Sequence, residues 1–170
     1  MAAKTGTYTL IASTTLTSNQ NSVTFSSIPQ TYTDLVLIGN FWNGSLNNTD
    51  YFGFNNSTGT PYSITGISGN GTTAATFQLA NNGDNWLGYS PYPGGPSTNP
   101  VSFKLDILDY SNTTTYKTSI VRTNNAGAAV WAIVSLWRNT AAISTIKLTT
   151  GDSYYAGSNF KLYGIEAGNL

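Results

Sequence analysis

Val101-Ser-Phe-Lys-Leu-Asp-Ile-Leu108 alternates apolar and polar side chains without a break as far as Ile107. In an extended chain successive side chains point to opposite sides. Phe103, Leu105 and Ile107 therefore share one face, and Ser102, Lys104 and Asp106 share the other. A helix would scatter the same residues around its circumference. The segment reads as a strand with one buried and one solvated face.

Working outward, the same texture repeats along the chain. Short runs rich in β-branched and aromatic residues occur at 8–12, 22–26, 35–42, 51–55, 62–67, 76–79, 86–89, 101–108, 116–123, 130–137, 143–149 and 160–166. Turn signals punctuate them: Asn-Gly at 43–44, 70–71 and 82–83, and Thr-Gly-Asp at 150–152. The best helical window, 126–136, holds Val130, Trp131, Ile133 and Val134, which favour a strand. We read 130–137 as a buried strand, apolar on both faces. The last run alternates Phe160, Leu162 and Gly164 with Lys161, Tyr163 and Ile165, so both of its faces also read as covered. Many short strands at this spacing predict an all-β, antiparallel jelly roll or β-sandwich, with 1–170 as a single domain. Its expected core includes Leu10, Val23, Leu35, Leu37, Ile146, Leu148, Leu162 and Ile165.

Composition narrows the function. Sixty-three of the 170 residues are Ser, Thr or Asn, none is His or Cys, and Glu166 is the one Glu. Imidazole bases, thiolates and soft metal ligands are thus excluded. Aromatics at 13% supply enough apolar surface for a core, although charged residues make up only 8%. The formal net charge is zero, so no global field draws nucleic acid. Cations are nevertheless uneven: after Lys4 the next is Lys104. A lightly charged, near-neutral surface fits a protein that hides part of itself in an assembly. The opening Met-Ala-Ala-Lys-Thr-Gly-Thr-Tyr lacks the apolar core of a secretion signal, and no run is long and apolar enough for a membrane helix. No membrane association is expected.

Catalytic constellations are missing. Asp106 and Asp109, three apart on a strand, point to opposite faces and cannot pair as a glycosidase couple. Asp34, Asp50, Asp84, Asp152 and Glu166 are scattered. Neither Ser-x-x-Lys nor Gly-x-Ser-x-Gly occurs. The loop Asn81-Asn82-Gly83-Asp84-Asn85 lacks EF-hand spacing and a closing Glu, so it reads as a hairpin turn. Gly94-Gly95 sits between prolines and precedes no helix, which argues against a phosphate loop. We expect no catalytic residue, no cofactor and no metal. Trp131 and Trp137 read as core.

One segment stands apart: Trp86-Leu-Gly-Tyr-Ser-Pro-Tyr-Pro-Gly-Gly-Pro-Ser-Thr-Asn-Pro100. Four of the six prolines fall at 91, 93, 96 and 100. Such a loop is stiff and loses little entropy on binding. Trp86, Tyr89, Tyr92, Pro93 and Pro96 are the candidate partner-interface residues, because large amphipathic rings anchor interfaces.

The two ends carry a family resemblance. Tyr8-Thr-Leu-Ile-Ala-Ser13 and Ser22-Val-Thr-Phe-Ser-Ser-Ile-Pro-Gln-Thr-Tyr-Thr-Asp-Leu-Val-Leu37 are similar to a family of tailed-phage virion proteins. So are Ile143-Ser-Thr-Ile-Lys-Leu148 and Gly157-Ser-Asn-Phe-Lys-Leu-Tyr-Gly-Ile-Glu-Ala167. The middle stretch Phe52-Gly-Phe-Asn-Asn-Ser-Thr-Gly-Thr-Pro-Tyr-Ser63 matches the family in rhythm. The resemblance covers about half the chain and brings no catalytic residues. It implies a jelly-roll-like structural component: a capsid decoration (cement) protein, a head fibre or a tail-associated subunit. The expectation is a decoration protein on the exterior of the phage head, assembled in the host cytoplasm. Its partners would be the major capsid protein and sister subunits, in a homotrimer or similar oligomer. The alternatives are a tail or head-fibre subunit that contacts host glycans, and a non-viral carbohydrate-binding module.

Overall fold

The computed structural model describes residues 7–44, 48–90, 99–125 and 127–166. Among these the chain forms twelve strands and no helix. They are β1 (Tyr8–Thr15), β2 (Gln20–Phe25), β3 (Asp34–Phe41), β4 (Asn48–Phe54), β5 (Tyr62–Gly69), β6 (Ala74–Asn82), β7 (Asn85–Ser90), β8 (Val101–Ile107), β9 (Lys117–Asn125), β10 (Ala129–Trp137), β11 (Ile146–Tyr154) and β12 (Asn159–Ile165). Every pairing is antiparallel.

Two sheets result. The large one has the order β1-β12-β3-β8-β9-β10-β5-β6, and the small one β2-β11-β4-β7. Leaving out β5, β6, β9 and β10 reduces them to β1-β12-β3-β8 and β2-β11-β4-β7. That is the two-sheet, double Greek-key order of an eight-stranded jelly roll. The other four strands are two inserted hairpins. One leaves between β4 and β7, the other between β8 and β11, and they join each other through β10 and β5. Together they widen one sheet of the jelly roll from four strands to eight.

Alternating residues of both sheets meet in one core. Leu35, Leu37, Phe103, Leu105, Phe160 and Leu162 come from the large sheet; Val23, Phe25, Phe52, Phe54, Ile146 and Leu148 come from the small one. Rings cross the gap: Phe41 lies 5.2 Å from Tyr154, and Phe54 lies 5.6 Å from Trp137, centroid to centroid. Tyr110 latches the end of the sandwich. Its hydroxyl donates to the Pro29 carbonyl, while Ile143 N donates to the Tyr110 carbonyl at 2.9 Å.

The structure corrects five expectations. The turn at 81–85 does not close a hairpin: it carries the chain from β6 of the large sheet to β7 of the small one. The Thr-Gly-Asp signal at 150–152 does not end a strand. It lies inside β11, where the register against β2 slips between Thr149 and Tyr154, so glycine serves an irregular strand here and not a turn. Leu10, expected in the core, is 54% exposed. The β1 register slips between Leu10 and Ala12, which turns Leu10 outward beside Tyr163 and Ala12 inward. Strand 130–137 is not apolar and buried on both faces: Val130 and Val134 are 55% and 49% exposed. Likewise β12 is only partly covered on its second face, where Ile165 is half-buried and Lys161 exposed. In β1, β10 and β12 the second face belongs to the outside of the large sheet, which no described element overlies. Val23, Leu35, Leu37, Ile146, Leu148 and Leu162 are buried as expected.

Candidate interaction surfaces

The outside of the large sheet is built from the second residue of each alternating pair. The register sets these residues in rows that run across the strands. One row reads Leu10, Tyr163, Val36, Asp106, Ile120, Val134, Thr65 and Gln78. Its neighbour reads Ser13, Lys161, Ile38, Lys104, Arg122, Ala132, Ile67 and Thr76. Seven of the large hydrophobics that stand exposed lie on this face: Tyr8, Leu10, Ile38, Ile67, Ile120, Val130 and Val134. Scattered exposed hydrophobics are ordinary, but a shared face that collects them marks a contact surface.

Charge on this face is sparse and grouped. Lys104 Nζ lies 2.6 Å from an Asp106 carboxylate oxygen, and Arg122 reaches the other oxygen at 3.6 Å. Pairs this exposed add at most about 1 kcal/mol. Their effect is to hold two neighbouring cations around one acid. A groove of about 480 Å³ runs along Arg122, Val130, Ala132 and Ile67. A second, of about 320 Å³, continues it over Ile38, Ser102 and Lys104, sharing Arg122 and Asn124 with the first.

Beneath β9 the interior is more polar. The inward residues of β9 are Lys117, Ser119, Val121, Thr123 and Asn125, all buried. Lys117 Nζ donates to the carbonyls of Thr115 (2.7 Å) and Thr140 (3.1 Å), and burial pushes its ammonium below the ordinary lysine value. Ser119 faces Ser135 in the ladder, and neither buried hydroxyl has a hydrogen-bond partner among the described residues. Both polar atoms of the buried Asn85 side chain are in the same position.

The residues singled out from the proline-rich segment divide. Trp86 stands opposite Tyr51 in the ladder and is half-buried. Its ring packs 5.2 Å from Phe77, which in turn lies 5.6 Å from Trp131. Trp86 thereby closes the seam between β7 and the inserted hairpin. Tyr89 pairs with Thr49 through its backbone, while its side chain lies outside the described residues. Tyr92, Pro93 and Pro96 lie wholly outside them. Sequence reasoning missed the exposed face of the large sheet. The available signal was apolar residues at the solvated positions of alternating strands, as at Ile120 and Ile67.

Among the described residues no group of three or more Asp, Glu, His or Cys could hold a metal, and no helix is long and apolar enough to cross a membrane. No family model matches this sequence, and no curated protein matches it at a significant score.

Proposed function

We propose that this protein is a structural subunit of a tailed-phage virion, a capsid decoration (cement) protein bound to the exterior of the head. Two things support this reading. The terminal and middle motifs resemble phage virion proteins, and the jelly-roll order fits the fold that the resemblance implies. The observation that carries it is the outer face of the large sheet, eight strands wide, with exposed apolar residues on β1, β3, β5, β9 and β10. At the ordinary strand spacing of about 4.8 Å and rise of about 3.3 Å per residue, such a face measures about 38 by 23 Å. That is close to the roughly 800 Å² each partner contributes to a stable interface.

The mechanism is mechanical. Lys104, Arg122 and Lys161 give the face an excess of positive charge, suited to a capsid surface of apolar residues with acidic groups among them. Each subunit, or an oligomer with sister subunits, bridges adjacent capsomers and adds buried interface against internal pressure. Many weak copies then act together through avidity. Cryo-electron microscopy of particles carrying the protein tests this. The reading expects density on the outer shell with the large sheet turned toward capsomers or sister subunits. Density confined to the tail, or a large sheet facing only solvent, sinks it. A tail or head-fibre subunit that contacts glycans is the second reading, favoured by the polar recess described next.

A further inference from the structure

The outside of the small sheet differs from that of the large one. It holds a polar recess of about 230 Å³. Gly53 of β4 forms the floor. Asn56 and Ser57 from the turn after β4, Asp84 from the turn before β7, and Lys147 and Thr149 of β11 form the walls. Lys147 stands opposite Gly53 in the ladder and Thr149 opposite Tyr51, so Tyr51 shares the face of the recess.

Gly53 differs from three other strand glycines. At Gly39, Gly66 and Gly164 an added Cβ would run into the rings of Phe103, Phe77 and Tyr32 respectively, so the protein's own aromatic rings occupy those positions. At Gly53 an added Cβ would meet only the Tyr62 hydroxyl, at 3.6 Å. A strand glycine sacrifices stability and marks close approach by another group. Within the described residues the Tyr62 hydroxyl alone comes that near, and it leaves the outer side of Gly53 open.

The walls are set in advance. Asn55, in the left-handed region (φ 50°), donates from Nδ2 to the Ala142 carbonyl at 2.7 Å. Its Oδ1 accepts from the amides of Ser144 (2.9 Å) and Thr145 (3.0 Å). Trp137 Nε1 donates to Ser57 Oγ at 3.1 Å. Next to these anchors, the side chains of Asn56, Asp84, Lys147 and Thr149 make no hydrogen bond or ion pair with the described residues. The turn is anchored, and the exposed side chains of Asn56, Asp84 and Lys147 leave their polar groups in water, where a small polar ligand can reach them.

The chemistry of the walls selects the ligand. One carboxylate and one ammonium cancel, so neither an anion nor a cation is favoured. Amide and hydroxyl groups dominate the remainder, which disfavours an apolar guest. A compact ring bearing hydroxyls that both donate and accept satisfies this set. We propose that the Gly53 recess binds one neutral pyranose, the terminal residue of a glycan, with its ring over Gly53. The site does not depend on where the protein sits in a particle.

Amide-detected NMR titration of the whole chain tests it, using the free sugars and methyl pyranosides of glucose, galactose and mannose. At least one sugar is expected to give saturable shifts at Gly53, Asn56 and Lys147, with a Kd in the millimolar range. Its methyl glycoside should bind equally well, because a chain end directs its anomeric oxygen outward. Gly53→Val, which fills the floor without a backbone clash, should weaken binding about tenfold or more at an unchanged melting temperature. Asp84→Asn, in a surface turn, should weaken it similarly and decides the matter alone if the valine variant fails to fold. Absence of saturable shifts up to about 50 mM overturns the proposal. So does undiminished binding by the variants, binding of the free sugar only, or an equal response to inorganic phosphate.

Discussion

Two neighbouring strands of the large sheet, β8 and β9, follow opposite rules. Every inward residue of β8 is apolar: Val101, Phe103, Leu105 and Ile107. Four of the five inward residues of β9 are polar. Outward, β8 presents Ser102, Lys104 and Asp106, whereas β9 and β10 present Ile120, Val130 and Val134, all exposed. The boundary is also the boundary between the jelly roll and its inserted hairpins. The jelly-roll half places most of its apolar residues where they stabilise the monomer, with Tyr8, Leu10 and Ile38 left outside. The inserted half places part of its apolar surface where it can act only on a partner, and polar residues interrupt its core beneath β9. A strand whose pattern is at odds with burial is the one to suspect of a role outside the fold.

The contrast can be broken most severely at Leu105, wholly buried and opposite Val121 in the ladder. Leu105→Ala should cost about 2–5 kcal/mol in denaturant unfolding. A loss below about 1 kcal/mol would show that the jelly-roll half is not the stabilising half.

Alkaline pH probes both halves together. Tyr62 in the insertion, and Tyr110 and Tyr154 in the jelly-roll half, have their phenols pushed up, chiefly by burial; for Tyr154 the nearby Asp50 adds to it. Raised folded values mean that stability is full below the ordinary phenol value of about 10 and is lost as pH rises through the higher folded values. Lys117, pushed down by burial, acts in the opposite sense as pH approaches the ordinary lysine value. The three phenols outnumber it, so net alkaline destabilisation is expected. Phenolate absorbance should show a late group of tyrosines that ionise together with unfolding. Titration of all tyrosines before unfolding would contradict the burial.

A smaller effect sharpens the polar side of the contrast. Ser119→Ala combined with Ser135→Ala removes two hydroxyls that lack partners, so stability should hold or rise by up to about 1 kcal/mol. A loss of more than about 1 kcal/mol would mean that the hydroxyls are satisfied after all. Smallest of all in stability is the outer face. Val130→Glu with Val134→Glu should change unfolding free energy by less than about 0.5 kcal/mol per site. On the proposed function, the same pair abolishes occupancy on particles. Retained occupancy would remove this face from the interface.

Much of the fold was legible because alternation and burial agree in the jelly-roll strands. Segment 101–108 is the clear case, and Leu35, Leu37, Leu148 and Leu162 follow it. Legibility failed where one sequence signal serves two physical ends. Val130 and Val134 read as buried because apolar residues on both faces of a strand ordinarily mean two covers. The outward turn of Leu10 rests on a register slip that no residue pattern announces. Of the two surface sites, the outer face left a signal in apolar residues such as Ile120 and Ile67 at solvated positions, whereas the recess left none. The recess depends on Gly53, Asp84 and Lys147, which lie far apart in sequence and meet only through the β4–β11 ladder and the turn that precedes β7. Its composition resembles any polar loop until the topology brings the pieces together.

The pairing of β1 with β12 has a consequence for how the molecule is made. β12, which seats both β1 and β3, follows every other described strand along the chain. Until it is made two strand edges wait unpaired, and the closing contacts span nearly the whole described chain. Such non-local closure is slow, in the millisecond-to-second range. The nascent chain is therefore most vulnerable to sticking to its neighbours in the interval before β12 is made. Hydroxyl-bearing residues such as Thr9, Ser13, Thr14 and Thr15 along the waiting first strand keep its open edge wettable during that interval.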